Sequence, residues 1–265
     1  MKITTFERVL RQGNYAENTV AAYMYAVRDY YSRYTSINKP NLLEYRELLI
    51  DSYSPKTANV RVQALNKYLE TIGKNELKIR YVKVQDESFL ENVISDEEYN
   101  YLKNHLRKES DRKCYFAIRF MAATGARISE LLSLRAEHVR AGFYDIYSKG
   151  GKVRRIFIPA QLQKETLQWL DREIGYVFLN KYGKQITARG LSSRLTYYAR
   201  KYGMNEHVVH PHAFRHLYAK KFLERHMDIA LLADLLGHKN ISTTRIYLRK
   251  SSTEQWRLIN QIVDW

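Results

Sequence analysis

The chain has little of what would hold a fold by covalent or rigid means. Its 265 residues include one cysteine, Cys114, which excludes an internal disulfide and suits a reducing compartment. Four prolines and eleven glycines exclude a collagen-like or linker-dominated chain. No run approaches the roughly 18 apolar residues of a membrane span, and Met1 to Gln12 lacks the apolar core of a signal peptide. Acidic residues are also in short supply, 28 against 44 basic ones, for a net charge of +16. What is present, 45 % hydrophobic and 27 % charged residues, is the balance of a folding chain. The expectation is a soluble, intracellular protein with no membrane contact and a polyanion as partner.

The length exceeds what one core usually needs, and the charge is unevenly spread. Residues 1–85 carry net +6, residues 86–98 net −6 with no basic residue, and residues 99–265 net +16. Two basic blocks around a short acidic stretch read as a helical domain over 1–82, a linker over 83–93 and a second domain over 94–265. In the first, Val20, Tyr23, Met24, Val27, Tyr30, Tyr31 and Tyr34 recur at helical steps with Asn18 as N-cap. Asn41 is placed to cap a second helix through Leu42, Tyr45 and Leu49. Ser54-Pro55 opens a third, which ends at Gly73. Arg61 and Lys67 are expected on the outer faces of this bundle as DNA contacts.

In the second block Ser95 followed by Asp96, Glu97 and Glu98 reads as an N-cap with acidic residues in the first turn. The spacing predicts a helix through Cys114 to Met121, a stop near Gly125 and a helix from Ile128 to His138. Phe143 to Tyr147 and Val153 to Ile158 read as strands flanking a hairpin turn at residues 148–152. Helices are expected over Leu162 to Ile174 and Leu191 to Tyr202. The fold class is therefore mainly α with a small β-sheet.

Residues 210–247 hold the densest chemistry. Pro211 suits the first turn of a helix on which Phe214, Leu217, Tyr218 and Phe222 form an apolar face. His212, Arg215, His216 and Ala219 share another face, so imidazole and guanidinium project together near a helix N-terminus. Asp228 caps the next helix, Gly237 ends it just before His238, and Ser242 caps a last short helix bearing Tyr247. A zinc site reads poorly, because no Glu follows His212 as in the zinc-protease motif and the single cysteine is remote. A phosphate-binding loop at 149–152 fails too, with Ile146 and Val153 where glycine and a hydroxyl residue are needed.

The run Thr124-Gly125-Ala126-Arg127-Ile128-Ser129-Glu130-Leu131, the basic hairpin at Lys149, His212-x-x-Arg215, Leu236-Gly237-His238 and Tyr247 nine residues beyond His238 resemble the tyrosine recombinase (phage integrase) family. The resemblance implies a helical core-binding domain joined by a linker to a catalytic domain. It implies a site-specific recombinase of a prokaryotic cytoplasm, associated with the nucleoid, that cuts and rejoins DNA through a 3′-phosphotyrosyl intermediate, as a tetramer on two core sites of double-stranded DNA, without metal or cofactor. Tyr247 would be the nucleophile, Arg127 and Arg215 the phosphate clamp, and Lys149 the general acid for the leaving oxygen, with Lys152 its local competitor. His212 would be the acid/base partner of the tyrosine, His238 a further donor to the phosphate, and Glu130 the residue that orients the site. His216 reads as structural or supporting, and Lys152 and Arg154 as DNA contacts.

That chemistry makes physical demands. A free tyrosine with pKa about 10 is ionised roughly one time in a thousand at pH 7. The alkoxide must leave with a proton, and negative charge gathers on the phosphate, where fixed guanidiniums suit it. Trp256, Ile259, Ile262 and Val263 form a stripe on a terminal helix, expected to dock on a neighbouring protomer. Two other functions fit the residues, a type IB topoisomerase and a catalytically silent DNA-binding regulator. Nothing before Thr4 suggests an added arm-binding domain, which favours a simple recombinase of inverted-repeat core sites.

Overall fold

The computed structural model describes residues 3–84, 93–147, 153–238, 240–249 and 252–263. The chain divides into two compact units, Met1–Asp86 and Glu87–Trp265. Among the described residues no helix is long and apolar enough to cross a membrane.

The first unit is four helices, α1 (Ile3–Gln12), α2 (Glu17–Arg33), α3 (Lys39–Ser52) and α4 (Pro55–Thr71), followed by a 3-10 turn at Asn75–Leu77. Its core joins Phe6 and Leu10 of α1 to Val20, Met24, Val27 and Tyr30 of α2, Tyr45 of α3 and Leu65 and Tyr68 of α4. Ser54 caps α4, accepting from the Thr57 N–H, with Pro55 in its first turn as expected. Two other caps differ. Asn18 lies inside α2, and α3 is capped by Asn38, whose side chain accepts from the backbone N–H of Asn41. Past α4, Asn66 exchanges two hydrogen bonds with the backbone of Ile79, and Asn59 does the same with Val82. The two asparagines lie seven residues apart on one face of α4 and hold the following segment along it.

Arg61 does not face outward. Its guanidinium donates to Asp29 of α2 at 2.8 Å, while Asp29 also accepts from the Tyr45 hydroxyl at 2.6 Å. The ring of Tyr53 lies 4.1 Å and that of Tyr25 5.0 Å from the same guanidinium. A cation buried between helices needs such a set of partners, so the residue belongs to the packing of the bundle. Lys67 remains part-exposed and pairs with Glu70 at 2.7 Å.

The second unit contains α5 (Asp96–Lys108), α6 (Lys113–Thr124), α7 (Ile128–Leu132), α8 (Ala136–Ala141), β1 (Phe143–Tyr147), β2 (Val153–Phe157), α9 (Ala160–Trp169), α10 (Ala188–Lys201), α11 (Pro211–His226), α12 (Ile229–Leu236), α13 (Ser242–Arg245) and α14 (Ser252–Ile262). Ser95 and Glu98 form a complete capping box at the start of α5. Helix α6 is buried on nearly every side and packs along α11, forming the middle of the unit. The strands are antiparallel, with Tyr144 opposite Ile156 and Ile146 opposite Arg154.

The helix expected over Ile128 to His138 is broken into α7 and α8. At the break the Leu134 carbonyl accepts from Val177 and the Ala136 N–H donates to Gly175, so pairing with a distant segment replaces helical bonds. The N-cap position of α13 is Ile241, with no side-chain cap from Ser242. The hairpin tip, residues 148–152 with Lys149 and Lys152, lies outside the described residues.

Candidate active site

Helix α6 ends where Gly125 takes a left-handed conformation, φ +63°. A side chain there is doubly unwelcome: a Cβ would sit 2.6 Å from Tyr218 of α11 and 2.7 Å from Leu236 of α12. The chain then turns into α7 with Arg127 at its N-cap position. Glu130, three residues on, folds back so that Oε2 accepts from the Arg127 backbone N–H at 2.7 Å and Oε1 from its guanidinium at 2.8 Å. Glu130 is buried, whereas the Arg127 side chain keeps 39 % of its surface exposed.

Helix α11 starts with His210 as N-cap and Pro211 behind it. His212 follows in the exposed first turn, and one turn later Arg215 points inward, 2 % exposed. Arg215 Nη1 donates to the Gly125 carbonyl at 2.6 Å and Nη2 to the Leu236 carbonyl at 2.8 Å. Nη2 also lies 2.9 Å from Nε2 of His238. A guanidinium offers five N–H groups, so these contacts fix its plane without exhausting its donors.

Helix α12 opens with Asp228, which accepts from the Leu231 N–H, and closes at Gly237, φ +65°. His238, just beyond, has Nδ1 2.9 Å from Thr244 Oγ1. Since Arg215 can only donate, Nε2 must accept, the proton sits on Nδ1, and Thr244 receives it. Thr244 is fully buried one turn before Tyr247. The Tyr247 ring, 8 % exposed, stacks on His238 at 6.0 Å between centroids and meets His216 edge-on at 4.6 Å. Its phenol is close enough to Arg215 to interact with that guanidinium.

The electrostatics follow from burial and crowding of cations. Burial, followed by the charges of Arg215 and Arg127, holds His238 at about 4. His216 is likewise held at about 4, by burial and then by the charges of His212, His210 and Arg215. His212 falls below the ordinary imidazole range, through desolvation first and then Arg215 and Arg127. All three imidazoles are thus biased toward the neutral form at pH 7. Burial lowers Arg215 as well, in the direction expected for a cation withdrawn from water.

Arg154, expected to touch DNA, is instead buried beneath the hairpin. Its Nη2 lies 3.2 Å from Glu130, and its Nη1 donates to the Leu236 carbonyl at 2.6 Å. Strand alternation accounts for the difference, because Arg154 shares the inward face of β2 with Ile156. Arg127, Arg154 and Arg215 all lie within 4.0 Å of Glu130, so the cluster keeps an excess of positive charge. It is built to receive an anion.

Among the expected site residues the structure brings together Arg127, Glu130, Arg215, His216, His238 and Tyr247, with His212 at the rim. Lys149 and Lys152 fall outside the described residues. Thr244 and the carbonyls of Gly125 and Leu236 were not singled out from sequence. The three-residue step from Thr244 to Tyr247 was the available signal for the first. Among the described residues no group of three or more His, Cys, Asp and Glu side chains is placed to hold a metal ion.

The model of the phage integrase family matches residues 92–254. The tyrosine recombinase XerA of Pyrococcus furiosus is 30 % identical over 264 residues, covering 94 % of this chain and 91 % of that protein. The tyrosine recombinase XerC of Escherichia coli O157:H7 is 38 % identical over 135 residues, 48 % of this chain and 45 % of that protein. Among solved structures, the Tn1549 transposon integrase in complex with transposon right end DNA shares the fold with a TM-score of 0.72 at 18 % identity, over 99 % of each chain. By the family match and the near full-length similarity to XerA, the chain belongs to the phage integrase family and is a site-specific recombinase of the tyrosine type.

Proposed function

We propose that this protein cuts and rejoins double-stranded DNA at specific sites through a covalent bond between Tyr247 and a 3′-phosphate. The observation that carries the reading is the convergence of the Tyr247 ring, His238 and the buried Arg215 guanidinium, with Arg127 open to solvent beside them. The phenol oxygen attacks phosphorus and the bond to the 5′-oxygen breaks. Arg127 and Arg215 hold the non-bridging oxygens while charge builds on them. The phenol proton passes to His212, whose neutral form can accept it, and the 5′-oxygen takes a proton from Lys149. Attack by a 5′-hydroxyl of another strand reverses the step and completes the exchange.

In the arrangement described, His238 Nε2 accepts from Arg215 and cannot donate to a phosphate at the same time. Substrate binding would have to draw the guanidinium onto phosphate oxygens, freeing Nε2 to take a proton and donate. The DNA-bound state of the Tn1549 integrase structure supports a duplex as the partner. The first unit would serve as the core-binding domain, and four protomers would act on two core sites.

The test is incubation with a duplex nicked so that the short fragment bearing the freed 5′-hydroxyl diffuses away. The parent protein should accumulate a protein–DNA adduct whose peptide map places the DNA on Tyr247. No adduct from the parent, or one mapped elsewhere, overturns the reading.

A further inference from the structure

We infer that Arg154 is a positioning residue of the active site, tying the β-hairpin to Glu130 and to the carbonyl that precedes Gly237 and His238. The inference rests on the function proposed above and assigns a role to a residue outside the group that would touch DNA.

An arginine on the inward face of a strand is out of place by pattern: its companions there, Tyr144 and Ile156, are both buried. Its side chain is 8 % exposed, too little to reach a groove or a backbone phosphate. The contacts it makes are specific. Nη1 donates to the Leu236 carbonyl at 2.6 Å and reaches Glu130 Oε1 at 3.3 Å, while Nη2 faces Glu130 Oε2 at 3.2 Å. The Leu236 carbonyl is also the acceptor of Arg215, and Glu130 is also the partner of Arg127. Arg154 therefore shares one acceptor with each arm of the proposed phosphate clamp.

The backbone is shaped to admit it. A Cβ on Gly237 would lie 2.7 Å from Arg154 Cδ, so the absence of a side chain at the end of α12 seats this arginine as well as permitting the turn. The arrangement is poor as packing alone. Arg154 Nε has no hydrogen-bond partner among the described residues, and Nη2 faces Glu130 without hydrogen-bond alignment. An apolar side chain of similar volume would fill the space without burying a charge. What it could not do is hold three elements in register: strand β2, the turn bearing Arg127 and Glu130, and the end of α12 beside His238.

Arg154→Met and Arg154→Lys, in the full chain, separate the possibilities. Methionine fills the volume without the charge; lysine keeps the charge but presents a single nitrogen to two acceptors. Each variant is compared with the parent in three measurements: melting temperature, salt dependence of duplex binding, and single-turnover adduct formation on saturating nicked duplex. A positioning role leaves the salt slope unchanged and slows adduct formation by about a hundredfold in both variants, the scale of a small misplacement of reacting groups. A direct phosphate contact would instead reduce the salt slope of Arg154→Met by about one and leave the saturated rate of both variants near the parent's, overturning the inference. Parent-like rates in both variants overturn it too. If Arg154→Met does not fold, Arg154→Lys decides by the rate of adduct formation alone, because lysine keeps the charge and with it the salt slope. A parent that forms no adduct refutes the proposed function, whereas a parent that reacts beside unaffected variants refutes only the role of Arg154.

Discussion

Nη2 of Arg215 and Nε2 of His238 lie 2.9 Å apart, and the contact requires the imidazole to be neutral, because a guanidinium has no lone pair to offer a second N–H. The same neutrality is imposed on His216, half-buried beside the Tyr247 ring. Both are held at about 4, below the value of a free imidazole. Between that value and about 6.5 the unfolded chain binds protons that the folded chain refuses. Folding stability is therefore fully present above pH 6.5 and lost as pH falls toward 4. His216→Phe keeps a ring in place and removes one such group. Urea denaturation at pH 7 and pH 4.5 should show the parent's loss of stability over that interval reduced in the variant by about 2 kcal/mol. An equal loss in both proteins would mean that His216 titrates normally.

Gly125 joins two needs at one position, a left-handed backbone and close approach by two helices. Gly125→Ala places a methyl group against Tyr218 and Leu236 and moves the carbonyl that receives Arg215. The expected cost is about 3 kcal/mol, from overpacking and the left-handed conformation together. A urea titration of the variant gives the number. A change below about 1 kcal/mol would show that the helices can give way.

Glu130 is the common carboxylate of three guanidiniums, so its charge matters more than its shape. Glu130→Gln keeps the shape and leaves Arg127, Arg154 and Arg215 without a counter-charge. Removing one partner from a buried ion pair typically costs about 3–5 kcal/mol, and the glutamine variant should fall near the lower end. Because the uncompensated cations attract an anion, added sulfate should return part of that stability. A variant that is both stable and indifferent to sulfate would show that the arginines do not depend on Glu130.

Much of the fold could be read locally. Ser54-Pro55, Ser95 with Glu98, Pro211, Asp228 and the left-handed glycines at 125 and 237 each obey a rule that spans only a few residues, and each stands where the pattern put it. The candidate site was assembled from a different signal, the order and spacing of several short motifs. Failures came where a distant element decided the outcome. Arg61 and Arg154 read as surface cations because nothing nearby announces Asp29, 32 residues away, or Glu130, 24 residues away. The break between α7 and α8 depends on pairing with residues 175–177. At α3 the competing signals were local: Asn38 and Asn41 are both good caps, and the first won by accepting from the N–H of the second.

Helix α14 presents Trp256 at 67 %, Ile259 at 56 % and Ile262 at 56 % exposure, an apolar stripe at helical steps. The neighbouring Leu258 and Val263 are exposed as well. A chain of net charge +16 has ample means to stay soluble, so the stripe can be maintained for a contact made only on DNA. Trp256→Ser with Ile259→Ser removes apolar area from the stripe and leaves the groups around Tyr247 in place. If α14 docks on a neighbouring protomer, the doubly substituted protein binds a single core site as the parent does, yet fails to join two duplexes in one complex. The assay is native gel retardation with one labelled duplex and one unlabelled, longer duplex, scored for the band that contains both. Unchanged yield of that band would leave the stripe without a role in assembly, and the proposed tetramer would need another interface.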